Sequence, residues 1–412
     1  MKSQLPPFKP FFYRKVLKNG MTVILEKRNL PIVSLTFAVR SGGINEHENE
    51  KGISHFIEHM LYKGTSKRDA KQIAEEIEKN GGELNGFTSE NSTAFWCKMP
   101  SKHLNVALDV LSDMIKNPKF DKKELEKERL VIFEEIKMRK DTPRIYVYDE
   151  VQNLLYDKPL GLNLIGTYET MNSVNREKIV KRFNEVYKPN NMILVVVGDA
   201  NFDDLLNFCE KEFGNEKGNV PVFEVKIKNG SKIEERHGID QANLVFAYHV
   251  PLSNDKQKKN YSAQVLNSLM AGGMSSRLFS EIREKRNLAY AVKGESAITK
   301  DFAYNLVYVG TTKENVEKVK KIILKEFEDV AENLNEKELS QVKEQLIGNY
   351  QISMEDSQIQ MVSLLFHELD GDAKEFYDFE ENIKNVKLKD VKELAKEVVL
   401  GQKFSFLALV PK

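Results

Sequence analysis

Residues 34–40 read SLTFAVR and residues 242–249 read ANLVFAYH, the same strand pattern at an offset of 209. Each is a short run of β-branched, aromatic and small apolar residues, the composition of a buried strand. Outward from the first copy, MTVILEKR (21–28) and IVSLTFAVRSG (32–42) read as strands parted by a turn at Asn29 to Pro31. Helical periods follow near 52–62, 69–79, 101–116, 121–140 and 174–186, then NMILVVVGD (191–199) as a buried strand and 202–213 as a short helix. Outward from the second copy the order repeats, with helical periods near 258–270, 275–285, 314–332, 335–353 and 387–399. FSFLALVP (404–411) closes this half as 191–199 closes the first. FDKKELEKERLVIFEEI (120–136) answers LNEKELSQVKEQLIGNY (334–350) at an offset of 214. The reading is an α+β protein of two homologous domains, each a mostly antiparallel sheet packed with helices. GNEKGNVPVFEVKIKNGSK (214–232), with three glycines, one proline and no helical period, is the expected linker between domains over 1–215 and 230–412.

Composition narrows the function. The 412 residues carry 62 basic and 62 acidic side chains, a formal net charge of zero. A dedicated nucleic-acid binder normally shows a basic excess, so none is expected here. Mean hydropathy is −0.47, and no apolar run approaches the ~18 residues of a membrane span. The opening MKSQLPPFKPFFYRK places two prolines ahead of any apolar block and does not read as a signal peptide. Two cysteines, Cys97 and Cys209, make neither a disulfide framework nor a Cys-type zinc site on their own. A soluble cytoplasmic protein is the expectation.

The chemistry concentrates in NEKGISHFIEHMLYKGT (49–65). Ile53, Phe56, Ile57, Met60 and Leu61 form one apolar helical stripe, and His55, Glu58 and His59 share an arc on the opposite side. Imidazoles at i and i+4 stand one turn apart, the spacing at which both reach a single metal ion. Glu58 projects from the same face, placed to take a proton from water without being a ligand. With seven histidines in the chain, H-x-x-E-H arises by chance in roughly one such sequence in a hundred. A solvated polar face with accidental spacing is the bland alternative.

Catalytic zinc takes three protein ligands and keeps one position open. The third ligand is sought in KKELEKERLVIFEEIKMRK (122–140), where Glu128 and Glu135 lie seven residues apart on nearly one face. Most glutamates on such a helix are surface charge, and spacing alone leaves the choice open.

At this point the sequence resembles a family. H-x-x-E-H is the inverted zinc motif of the inverzincins, the pitrilysin, insulin-degrading enzyme and mitochondrial processing peptidase group. GISHFIEHMLYKGT, GGELNGFTS and ERLVIFEEI occur in that family's order and approximate spacing. The resemblance implies one zinc per chain held by His55, His59 and Glu135, the last 76 residues past His59. It implies Glu58 as general base and Glu128 as a carboxylate supporting the site. It also implies peptide binding as an added strand on LNGFTSEN (84–91), with Asn85 contacting substrate and Gly86 where the family usually has alanine.

The second half has lost these residues. At the same offsets His55, Glu58 and His59 fall on Gln264, Asn267 and Ser268, and Glu135 on Asn349. GGMSSRLFSEIREKRNLAYAV (272–292) lacks the Gly-Lys-Ser/Thr of a phosphate loop and reads as glycines before a serine-capped helix. By resemblance its Arg283 and Tyr290 are substrate-binding residues. The implied protein is a zinc endopeptidase of the half-length, bacterial-type branch, its domains arranged as a clamshell that cleaves unfolded peptides, with a homodimer expected. The alternatives are a non-catalytic subunit related to processing peptidases, or a dedicated presequence-type processing peptidase.

Overall fold

The computed structural model of the chain describes residues 11–252, 256–401 and 403–412. In chain order the elements of the first half are β1 (Phe11–Val16), β2 (Thr22–Lys27), β3 (Ile32–Val39), α1 (Ile53–Leu61), α2 (Ala70–Glu78), β4 (Glu83–Thr88) and β5 (Thr93–Pro100). They continue through α3 (Leu104–Lys116), α4 (Lys122–Asp141), α5 (Pro143–Leu155), α6 (Tyr168–Ser173), α7 (Arg176–Val186), β6 (Met192–Gly198) and α8 (Phe202–Glu212). The second half holds β7 (Ser231–Arg236), β8 (Ala242–His249), α9 (Lys256–Ala271), β9 (Ala289–Ile298), β10 (Ala303–Thr311), α10 (Val316–Asn333) and α11 (Glu336–Ser353). It ends with α12 (Ser357–Asp370), α13 (Phe379–Asn385), α14 (Leu388–Leu400) and β11 (Phe404–Pro411).

Two sheets result. The first runs β1-β2-β6-β3-β5-β4 and the second β7-β11-β8-β10-β9. In the first only β2 and β6 are parallel, and in the second only β7 and β11. Removing β1 makes the two orders identical. The registers agree as well: Phe37 pairs with Phe95 and Leu194, while Phe246 pairs with Val307 and Phe406. The α+β class and the duplication expected from SLTFAVR and ANLVFAYH are therefore both present. Every residue of β6 is buried, which is why it reads as a continuous apolar run rather than an alternation.

The compact units are not contiguous in sequence, unlike the expected division into 1–215 and 230–412. Among the described residues, one comprises 11–133, 164–223 and 353–376, the other those within 134–163, 224–352 and 377–412. The reason is two helices missing from the sequence reading. In the second unit α5, with Val147, Val151 and Leu155 buried at i, i+4 and i+8, packs on β8 and β11. In the first unit α12 packs on the equivalent strands β3 and β6. Polar anchors hold α12 there: buried Glu368 accepts from Arg14 at 2.8 Å and from Arg40 at 2.9 Å, and Gln360 donates to Glu26 at 2.7 Å. Residues 214–230 carry no helix or strand, while the last two residues of the expected 214–232 linker open β7.

Candidate metal centre

The start of α1 fixes everything that follows. Gly52 adopts φ +94°, and a Cβ there would lie 2.6 Å from the Ile165 carbonyl oxygen, so the turn into the helix admits only glycine. Glycine cannot cap, and Glu46 does so instead. Its Oε2 accepts from the Gly52 N–H at 2.9 Å and its Oε1 from the Ser54 N–H at 2.7 Å. An anion suits the positive end of a helix dipole. Glu46 is buried with two buried cations, Lys51 and Arg182, acting on it. Burial pushes its carboxyl pKa up, against the pull of Lys51 and the two N–H groups.

Helix α4 is then locked to α1. The Arg129 guanidinium lies 5.4 Å from the centre of the Phe56 ring and donates to the Met171 carbonyl. Glu128 places Oε2 3.1 Å from His59 Nδ1 and Oε1 2.6 Å from Lys63 Nζ. Burial alone would raise the Glu128 pKa, but the hydrogen bonds with His59 and Lys63 outweigh it and hold the carboxyl below its ordinary range. Engagement of His59 Nδ1 leaves Nε2 as the nitrogen available to a metal. Two turns further along the same helix stands Glu135.

The outcome is a cluster. Single ligand atoms of His55, His59 and Glu135 all lie within 4.8 Å of one another. The two imidazole rings meet at 4.6 Å with an interplanar angle of 67°. Two imidazole nitrogens and a carboxylate oxygen brought this close are the donor set of a zinc site with an open position. Of the two glutamates that spacing left open, Glu135 joins the histidines and Glu128 supports one of them. Glu58 stands outside the cluster, its Oε2 accepting from Thr88 Oγ1 at 2.7 Å. Its Oε1 lies 3.3 Å from where a side chain on Gly86 would begin. The carboxylate therefore sits between α1 and β4, the edge strand of the first sheet.

Asn85 and Gly86 lie on that edge strand, with Asn85 Oδ1 accepting from the Gly86 N–H at 2.8 Å. In the second unit Arg283 and Tyr290 come together, the guanidinium 5.2 Å from the Tyr290 ring and 4.8 Å from that of Phe279. Arg283 belongs to a π-helical turn, Phe279–Glu284, a distortion common where a side chain is re-aimed. Ser276 precedes this turn but donates to the Gly273 carbonyl at 2.6 Å instead of capping. Tyr290 is 78% exposed.

The second unit keeps the imprint of the first. Glu58 and Thr88 correspond to Asn267 and Ser296, and Asn267 Nδ2 donates to Ser296 Oγ at 3.0 Å. Helix-to-edge-strand contact is retained while the acid is gone. Sequence reading missed Glu46, Arg129 and Tyr62. Of these only Arg129 carried a signal, as a large cation on the apolar side of α4.

Comparison with known proteins agrees. Residues 22–168 match the family described as insulinase (peptidase family M16), and residues 173–346 match the peptidase M16 inactive domain. The chain belongs to peptidase family M16. It is 33% identical over 355 residues to YmxG of Bacillus subtilis, named an uncharacterized zinc protease, covering 84% of this chain and 86% of that protein. An uncharacterized zinc protease of Rickettsia felis is 33% identical over 348 residues, covering 82% and 83%. Among solved structures, a protease from Helicobacter pylori superposes with a TM-score of 0.90 at 22% identity, covering 98% of this chain and all of that one. The peptidase M16 inactive domain from Pseudomonas fluorescens gives 0.86 at 18%, covering 97% and 98%. Both share the fold. The named relatives support peptidase activity and a zinc requirement. No helix among the described residues is long and apolar enough to cross a membrane.

Proposed function

We propose that this chain is a zinc-dependent endopeptidase of unfolded peptides, with His55, His59 and Glu135 holding one zinc ion and Glu58 as general base. The observation that carries the reading is the convergence of those three donors, two imidazoles and a carboxylate, within 4.8 Å, with a second carboxylate, Glu58, held beside the edge strand by Thr88. Zinc, when bound, supplies Lewis-acid polarisation of the scissile carbonyl and lowers the pKa of water to about 7. Glu58 takes the proton at a carboxylate oxygen and delivers it to the leaving amine. Thr88 keeps that carboxylate turned toward β4. Glu128 holds His59 by Nδ1 and is neutralised in part by Lys63. The peptide adds to β4 as an extended strand, reading backbone positions at Asn85 and Gly86 with little sequence demand. Arg283 and Tyr290 donate to the peptide from the second unit. Work on extended chains inside a chamber excludes folded proteins, and the active form is a homodimer.

Two variants test the roles. Glu58→Gln retains zinc by elemental analysis and loses turnover by ~1,000-fold or more, while Glu135→Ala loses zinc. An E58Q protein that cleaves peptides at the parental rate, or an E135A protein with full metal occupancy, refutes the assignment.

A further inference from the structure

Tyr62 follows α1 one turn beyond Glu58, so its ring leaves the helix on the same side as the general base. The phenol oxygen is buried and has no hydrogen-bond partner among the described residues. Its ring packs on Phe95 at 6.0 Å between centroids. A buried hydroxyl without an acceptor is unfavourable, and native proteins tolerate few. Its position explains why one is tolerated here. A Cβ on Gly86 would lie 2.6 Å from Tyr62 Oη, 2.9 Å from the Ala94 carbonyl oxygen and 3.3 Å from Glu58 Oε1. The hydroxyl thus occupies the room that a side chain at position 86 needs. The glycine that departs from the family's usual alanine and the hydroxyl at 62 are one structural feature. Both Oη and Glu58 Oε1 flank the same point over the strand. Burial, and after it the negative charge of Glu58, push the phenol pKa well up, so the group remains a proton donor.

We propose that Tyr62 is a positioning residue for Glu58: its hydroxyl, admitted by Gly86, donates to Oε1 when a peptide lies on β4 and sets the carboxylate for proton transfer. One oxygen of Glu58 is then held by Thr88 and the other by Tyr62, so the base approaches its proton in a single orientation. No bond to substrate is involved. The inference rests on the assignment of Glu58 as general base.

The test is Tyr62→Phe, which removes one oxygen and keeps the ring. Zinc content stays at the parental value, the unfolding midpoint reported by Trp96 holds or rises because an unpartnered buried hydroxyl is removed, kcat falls about tenfold or more and KM is unchanged. Because Tyr62 acts through Glu58, adding Y62F to E58Q produces no further loss of the residual rate. A parental kcat in Y62F overturns the proposal, and so does an equal fractional loss in the E58Q background, which marks a purely structural role. E58Q at the parental rate is a different failure, that of the general-base assignment itself.

Discussion

Glu46 lies well outside the H-x-x-E-H motif, yet the geometry makes it the residue on which α1 depends. Replace it with alanine. Two helix N–H groups, those of Gly52 and Ser54, lose acceptors at 2.9 and 2.7 Å. Lys51, 1% exposed, and Arg182, 7% exposed, lose a buried counter-charge. Lys51 retains the Gly43 carbonyl at 2.8 Å and Glu90 at 3.7 Å, and Arg182 retains the Asn45 carbonyl at 2.7 Å, so the cations keep hydrogen bonds but less charge compensation. Loss of a cap costs about 0.5–2 kcal/mol and loss of one partner in a buried ionic cluster about 3–5. These overlap, and the expected total for Glu46→Ala is about 3–5 kcal/mol. Trp96, the only tryptophan in the chain, sits on β5 with 8% exposure, so its emission reports unfolding of the first unit alone. At an m-value near 3 kcal/mol/M, the urea midpoint falls by roughly 1–1.7 M. Glu46→Gln, which keeps one carbonyl acceptor, falls less. Because burial raises the Glu46 pKa, its stabilising contribution is full below its ordinary value of about 4.5 and declines as pH rises through the folded value. The midpoint difference between parent and E46Q therefore narrows with rising pH. An E46A midpoint within 0.2 M (about 0.6 kcal/mol) of the parent refutes the capping argument.

Other expectations follow from single contacts. Gly86→Ala destabilises the first unit, by about 1–3 kcal/mol for overpacking, and Tyr62→Phe in the same chain recovers part of that loss. Additive effects in urea titrations exclude the shared-space argument. Burial alone would raise Glu234, but hydrogen bonds with Lys232, Tyr146 and Arg236 outweigh it and lower its pKa to about 2. Its contribution is present above about pH 4.5 and lost as pH falls toward 2, so Glu234→Gln flattens the acid limb of stability followed by far-UV circular dichroism. An unchanged acid limb removes Glu234 from that account. Glu368→Ala strands Arg14 and Arg40 and lowers the Trp96 midpoint by about 3 kcal/mol equivalent, since α12 loses its anchor on the first sheet. A midpoint equal to the parent's shows that apolar packing alone seats α12.

How much of this was legible follows from the kind of signal each feature leaves. The α1 stripe, the buried strands β6 and β11 and the two offsets are periodic, and periodicity survives in sequence. Helices α5 and α12 were not read, although 143–155 and 357–370 begin 214 residues apart. The IYVY run of α5 favours a strand locally, and only its packing on β8 and β11 settles the helix. Strand β9 mixes Lys293, Glu295 and Ser296 with few large apolar residues, as an edge strand does. At the site, two histidines at i and i+4 declared themselves, but spacing could not choose between Glu128 and Glu135. That choice depends on where α4 crosses α1, which Arg129 and Phe56 determine across the gap between two helices.

The duplication turns the second unit into a control for the first. Gly294 takes the place of Gly86, and a Cβ there would meet Asn267 Oδ1 at 2.9 Å and Ala271 Cβ at 3.1 Å. Asn267 stands for Glu58, Ser296 for Thr88 and Ala271 for Tyr62. The close approach of helix and edge strand is therefore a property of the fold, needed whether or not chemistry occurs there. What distinguishes the first unit is charge and proton-donor capacity: a carboxylate for the amide and a phenol for the methyl. An amide opposite a serine keeps the helix-to-strand contact, Asn267 Nδ2 donating to Ser296 Oγ at 3.0 Å, without taking up a proton. A carboxylate in the same seat, in the unit that also holds His55 and His59, has the capacity to accept a proton that the amide lacks. The shared scaffold supplies position, and these substitutions at equivalent seats account for why chemistry is assigned to one half and not the other.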